Sequence, residues 1–175
     1  MDLIILETPR LFLRHQQPTD LDDLWELYCD AEITKFIPDA PRTRQEAQEE
    51  LEWHMHGHPK NPQLGLWATI QKSTGKFIGR CGLLPWTIDG ANEIEVAYTI
   101  ARAYWGQGFA TEAARAIRDY GFDTLNLPRL ICLIDPQNIA SQRVAEKIGM
   151  YFEKESRDEY GAFQIYAIAK VNHHV

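Results

Sequence analysis

Two carboxylates and a glycine-rich turn carry most of the chemistry that this sequence offers. Glu93 and Glu95 stand two residues apart in an apolar run, and period-two alternation puts them on one face of a strand. Acids so placed can act as a general base when their surroundings raise the pKa toward neutrality, or can be plain solvated strand charges. Further on, the segment Tyr98-Thr99-Ile100-Ala101-Arg102-Ala103-Tyr104-Trp105-Gly106-Gln107-Gly108-Phe109-Ala110-Thr111-Glu112 passes from apolar strand through two glycines into an alanine-rich helix. Gly106 and Gly108 let the backbone turn with no Cβ in the way. The first helical amides then point outward, unpaired and partly positive. Phosphate or pyrophosphate suits that geometry, although a tight turn without a ligand has the same spelling. His54, His56 and His58 form a third cluster, and His54 and His58 have the i, i+4 spacing of a metal pair. No third ligand stands nearby and Gly57 and Pro59 interrupt the run. A surface helix end without metal is expected there, and His173 and His174 are read as solvated.

The elements that must hold these groups follow from periodicity. Residues 8–16 read as a first strand. Thr19 and Asp22 fit a capping box, followed by the helical stripe Leu21, Leu24, Trp25 and Tyr28. Thr43 and Glu46 repeat the signal before a second helix carrying Ala47, Leu51 and Met55. Strands at 64–71 and 76–84 pair as a hairpin around Ser73-Thr74-Gly75, and Asp89-Gly90 precedes a strand at 94–100. A long helix spans 109–124, with Ala110, Ala113, Ile117 and Tyr120 on one face. A short strand at 129–134 leads to Asn138, which caps a last helix ending at Gly149. Strands near 151–157 and 162–170 close the chain. The pattern predicts one α/β (α+β) domain over 1–175, a mixed sheet covered by helices. Trp53, Trp67 and Trp86 are expected in the core, with an acceptor-lining role as the alternative for Trp86.

The bulk numbers narrow the partners. A chain of 175 residues with 45% hydrophobic content can bury a real core. Its net charge of −7 and isoelectric point near 5.3 argue against nucleic acid. The acidic surface suits a cationic partner, or solubility alone. Cys29, Cys81 and Cys132 are widely spaced and show no zinc or redox pattern. They are expected as free, buried thiols in a reducing, cytoplasmic compartment. No signal peptide is read at the N-terminus, and no apolar run reaches the roughly 18 residues of a membrane span.

Which phosphate ligand is bound depends on the wider context. A P-loop needs Lys after the second glycine, and none follows Gly108. A dinucleotide fingerprint needs a third glycine where Thr111 stands. The run Gly106-Gln107-Gly108-Phe109-Ala110-Thr111-Glu112-Ala113, then Asp135-Pro136-Gln137-Asn138-Ile139-Ala140-Ser141, then Glu146-Lys147-Ile148-Gly149-Met150, resembles the GNAT superfamily of acyl-CoA-dependent N-acetyltransferases. The opening Glu7-Thr8-Pro9-Arg10-Leu11 and Pro18-Thr19-Asp20 is similar to its RimJ/RimL-like branch. The resemblance runs from about 7 to 170.

It implies a mixed, mostly antiparallel sheet of about seven strands, splayed in the middle, with helices on both faces. Acetyl-CoA would lie in the split. Backbone at Tyr98, Thr99 and Ile100 would hold the pantetheine, the loop Trp105, Gly106, Gln107, Gly108, Phe109, Ala110 and Thr111 the pyrophosphate, and Asn138 and Ser141 the pantetheine arm. Glu95 takes the position where related enzymes often carry the base. Two residues depart from the family pattern: Trp105 replaces a frequent Gln or Arg, and Ala145 stands where many members place an acidic Tyr. Ser141 is the candidate donor to the departing sulfur, with Tyr151 as a weaker substitute. The implied reaction is direct transfer in a ternary complex to a primary amine, on a protein N-terminus or a small molecule. No metal, membrane or nucleic acid takes part, and the protein is expected as a monomer or homodimer. Two other classes stay open: a noncatalytic CoA-binding or sensing module, and a nucleotide-binding regulator.

Overall fold

The computed structural model describes residues 4–171; His173 and His174 lie outside them. Eight strands form one sheet in the order β1-β2-β3-β4-β5-β6-β8-β7. They are β1 Ile4–Glu7, β2 Leu11–Arg14, β3 Gly65–Gln71, β4 Phe77–Ile88, β5 Ala91–Ile100, β6 Arg129–Ile134, β7 Tyr151–Asp158 and β8 Gly161–Ala169. The helices are α1 Leu21–Cys29, α2 Ala31–Thr34, α3 Arg44–His54, α4 Phe109–Asp123 and α5 Ile139–Lys147. Eight strands replace the expected seven because β1 precedes the strand expected at 8–16, which shortens to β2. Thr8 turns the chain there: its amide donates to the Leu11 carbonyl at 3.0 Å and its hydroxyl accepts from the Leu11 amide at 3.0 Å.

Local signals place most boundaries. Thr43 and Glu46 form the reciprocal cap of α3, with Glu46 N donating to Thr43 Oγ1 and Thr43 N to Glu46 Oε2, both at 3.2 Å. The cap expected at Thr19 and Asp22 falls instead on Gln17 and Asp20, whose side chain accepts from Gln17 N at 2.8 Å. A 3-10 turn over Pro18–Asp20 starts the segment, and Arg14 binds both oxygens of Asp20. Asp89 and Gly90 both take positive φ, as a two-residue hairpin between β4 and β5 requires. That hairpin outruns β3, whose pairing stops at Gly65 opposite Leu83. Pro85, which has no N–H to give, therefore sits where no β3 partner asks for one.

Alternation sorts the two faces, and of the three cysteines expected as buried thiols Cys81 and Cys132 are buried on their strands whereas Cys29, the last residue of α1, is exposed. Cys81 and Leu83 of β4 and Val96 and Ile100 of β5 join Phe109, Ala113 and Ile117 of α4 and Ala145 and Ile148 of α5 in the main core. On the other face α1, α2 and α3 pack around a smaller core of Leu24, Leu27, Ile33, Ala47 and Leu51. Arg80 of β4 points to that second layer, where it pairs with Glu50 of α3 and lies under the ring of Tyr28 of α1.

Candidate active site

The sheet opens at its centre. Strands β5 and β6 run parallel and share a single register pair, Glu95 with Ile131, whereas β4 and β5 pair continuously from Gly79–Ile100 to Ile88–Ala91. Past Glu95 no further register pair joins the two strands. The Ala101 amide donates to Ile78 on β4, so alternation turns the backbone of Thr99 toward β4 and that of Tyr98 and Ile100 toward the gap. The Ile100 carbonyl is already taken, since the Trp105 indole N–H donates to it at 2.6 Å. Of the three residues expected to hold a pantetheine through the backbone, Tyr98 presents its edge to the gap, Ile100 does so with its carbonyl engaged, and Thr99 faces away.

The glycine loop leads from that gap into α4. Gly106 and Gly108 have φ of 73° and 82°, values that favour glycine strongly. Gly108 is the N-cap of α4 and supplies no side-chain cap. Among the described residues, no hydrogen bond takes up the amides of Gly106, Gln107, Gly108, Phe109, Ala110 or Thr111. They form a cluster of donors at the positive end of a helix of 15 residues. Trp105, in place of a Gln or Arg, braces the loop against the strand end through Ile100.

Sequence reasoning missed what holds the outside of this loop. Arg10 donates from Nε to Glu112 Oε2 at 2.6 Å and from a terminal nitrogen to the Gln107 carbonyl at 3.0 Å. Its guanidinium also lies 4.4 Å from the centre of the Phe109 ring. Glu112 Oε1 accepts from Thr8 Oγ1 at 2.6 Å and from Arg10 N at 2.9 Å. Burial pushes the Glu112 pKa up, but these donors prevail and hold it below the usual range. The signal was present in Thr8-Pro9-Arg10 and Glu112, but nothing local says that positions a hundred residues apart touch.

Glu93 and Glu95 share a face as expected, and neither is a free solvated charge. Glu93 accepts from Arg129 at 3.1 Å, and Arg129 also forks onto Glu153 at 2.7 and 2.8 Å. Glu95 has no cationic hydrogen-bond partner among the described residues. Its Oε2 accepts from the Trp86 indole N–H at 2.6 Å. Burial raises its pKa to about 7, and the Trp86 and Leu133 hydrogen bonds offset only part of that rise. A carboxylate half ionised near neutral pH has the proton affinity of a general base.

Across the gap, α5 faces Tyr98. Asn138 caps α5, its Oδ1 accepting from Ser141 N at 3.1 Å. The Ser141 hydroxyl donates to the Tyr98 oxygen at 3.0 Å, and the Tyr98 hydroxyl donates to the Ser141 carbonyl at 2.9 Å. Burial raises the Tyr98 pKa well above its usual value. Ala145 is buried in the core, while Tyr151 is exposed at the start of β7. The structure thus brings Tyr98, Asn138 and Ser141 together and leaves Tyr151 on the surface. Trp67 is core as expected, but Trp53 and Trp86 are exposed. Trp53 projects from the solvent side of α3, and Trp86 lies beyond the end of β3.

The histidine cluster differs from expectation. His54 and His58 are buried and only His56 is exposed. The Nδ1 atoms of His54 and His58 accept from the Leu66 and Lys60 amides at 3.3 and 3.2 Å. Folding of the 55–64 loop back onto α3 buries them. They serve as acceptors for backbone N–H groups.

Known proteins share this architecture. Residues 10–151 match the model of the acetyltransferase (GNAT) domain family. The chain is 39% identical to the uncharacterized protein YkkB of Bacillus subtilis over 153 residues, 87% of this chain and 88% of that one. A GNAT-family acetyltransferase from Bacillus anthracis superposes with a TM-score of 0.79 at 25% identity, covering 94% of this chain and 97% of the other. RimL, an acetyltransferase of the ribosomal L7/L12 α-amine, shares the fold with a TM-score of 0.77 at 17% identity, over 97% and 96% of the two chains. A matched span that begins at the loop-clamping Arg10, takes in the split and the open amides, and ends at Tyr151 makes this chain a member of the GNAT acetyltransferase family.

Proposed function

We propose that the protein transfers the acetyl group of acetyl-CoA directly to a primary amine in a ternary complex. The amides from Gly106 to Thr111 bind the pyrophosphate, and the pantetheine runs along the Tyr98 edge between β5 and β6. The thioester then lies close to where the strands part, beside Glu95. The acceptor ammonium gives one proton to Glu95. Its neutral nitrogen attacks the thioester carbon, the C–S bond breaks with the electron pair leaving on sulfur as CoA thiolate, and the second proton of the attacking nitrogen is lost to the departing thiolate as the amide forms. A thiol pKa of about 8.5 makes that a fair leaving group without a strong acid, which suits a chain with Ala145 in place of a tyrosine. Ser141 stands on the α5 side of the gap, and to donate to the sulfur its hydroxyl would turn away from the Tyr98 oxygen it now binds.

The observation that carries this reading is Glu95, a carboxylate at the single point where the two strands still meet, with its pKa near 7. Its proton affinity also favours one kind of acceptor. An α-amine has a pKa of about 7.8, so transfer to Glu95 is nearly balanced, whereas a lysine amine near 10.4 makes it uphill by about three units. A protein N-terminus or a small amine of low pKa fits best. The test is acetyl-CoA turnover with a free-α-amine peptide against an N-blocked peptide whose only amine is lysine. We expect turnover on the first, rising with pH through about 7, and a loss of about 100-fold in kcat for Glu95→Gln with unchanged CoA affinity. Tight CoA binding without turnover on any amine would instead indicate a binding or sensing module.

A further inference from the structure

We infer that Trp86 is a positioning residue for the base: its indole N–H fixes the Glu95 carboxylate and keeps it ionised enough to accept a proton. The inference rests on the reading of Glu95 just given. Register places Trp86 opposite Glu93 and Leu84 opposite Glu95, so the indole reaches its carboxylate diagonally across the β4–β5 pair. At 2.6 Å from Oε2, this is the side-chain hydrogen bond that Glu95 makes among the described residues. Pairing of β3 ends at Leu83, so no neighbouring strand crowds the ring, and Trp86 remains 40% exposed on the same side as the base.

The chemistry of the donor matters. An indole N–H donates, never accepts and never titrates in this range. It therefore stabilises the ionised carboxylate at every working pH and offers no competing proton. A Lys or Arg at the same distance would hold the carboxylate firmly ionised and too weakly basic to take a proton from an ammonium. Other groups act on Glu95 in opposing directions. Asp39, from the loop after α2, raises its pKa and Arg80 of β4 lowers it. Tyr98 on β5 and Cys132 on β6 sense its charge in turn. Arg80 is itself occupied by Glu50. The neutral donors to Glu95 are the Trp86 indole and the Leu133 backbone, and Trp86 is the side chain among them.

The test uses the full chain with acetyl-CoA and a free-α-amine peptide. Trp86→Phe keeps an aromatic ring and removes the donor. The apparent pKa of the ascending limb of kcat should rise by about one unit, which at pH 7 lowers kcat about fivefold, while at pH 9 the variant approaches the parent. The KM for acetyl-CoA should not change. In a Glu95→Gln background, Trp86→Phe should have little further effect on kcat. An unmoved pH profile would overturn the inference, as would an equal loss at every pH with a lowered melting temperature, the mark of a merely structural role. Full turnover by Glu95→Gln alone would refute the base itself, a result separable from either outcome for Trp86.

Discussion

At the scale of the residue, the demands of function and of stability oppose each other at Glu95. Its folded pKa of about 7 lies above the ordinary glutamate value of 4.5. The folded state therefore binds its proton more tightly than the unfolded chain does. Below pH 4.5 the group is protonated in both states and contributes nothing. As pH rises from there to about 7, ionisation increasingly penalises the folded state, and the penalty is complete above 7. Glu95→Gln keeps the size and an acceptor oxygen for Trp86 without the charge. It should raise unfolding free energy at pH 8 by on the order of 2–3 kcal/mol, and leave it unchanged at pH 4. Urea titrations of both proteins at the two pH values check this. A variant that loses turnover and gains stability only at high pH fits a base held in an unfavourable place; equal stability at both would contradict the burial argument. The sequence showed that Glu93 and Glu95 share a face, which alternation guarantees. It did not show that Arg129 claims one and an indole the other, because those partners come from neighbouring strands.

At the scale of the element, the phosphate loop depends on the N-terminal strands. The loop after β1 is tied to the first turn of α4 by three hydrogen bonds to Glu112. Charge-assisted bonds of this kind are stronger than neutral ones. Glu112→Gln would weaken them and let Arg10 leave the Gln107 carbonyl. The open amides would then spend less time arrayed for a diphosphate, and the dissociation constant for CoA should rise roughly three- to tenfold. Calorimetric titration with CoA measures it, with Glu7→Gln as a control on the same sheet edge; an unchanged constant in Glu112→Gln would show that the loop holds its own shape. Here legibility divides along sequence separation. Caps at Thr43 and Asn138, the Asp89-Gly90 hairpin and the glycine turn are local events whose geometry the neighbouring residues dictate. The break at Thr8, the shift of a cap from Thr19 to Gln17 and the burial of His54 and His58 depend on Glu112, Arg14 and the Leu66 amide. The separation of β5 from β6 came through the resemblance; composition and periodicity contain no trace of it.

At the scale of the whole molecule, the split leaves two layers that are stabilised differently. The α4–α5 face rests on the large apolar core, whereas the α1–α3 face combines a smaller core with buried polar groups. His54 is one of them. Burial and the nearby charge of Arg80 lower its pKa to about 4. His15 and His58 are lowered as well, chiefly by burial. All three are neutral when folded and protonate more readily when unfolded. Their contribution is complete above the ordinary histidine value of 6.5 and is lost as pH falls from there toward 4. For His54 alone the loss is on the order of 2–3 kcal/mol. Carboxylates with lowered pKa values, Glu112 and Glu153, lose their contribution only below about 4.5, so the two effects separate on the pH axis. Glu95 regains stability as pH falls over the same range, so the histidine contribution is read in the Glu95→Gln protein, whose unfolding free energy should decline between pH 6.5 and 4.5, before Glu112 and Glu153 titrate. His54→Gln should be less stable at pH 7, for want of a matched acceptor for the Leu66 amide, yet decline less steeply over the same window. Guanidinium denaturation at half-unit pH intervals resolves the slopes. A flat profile above pH 4.5 in the Glu95→Gln protein would mean that the histidines keep access to protons in the folded state.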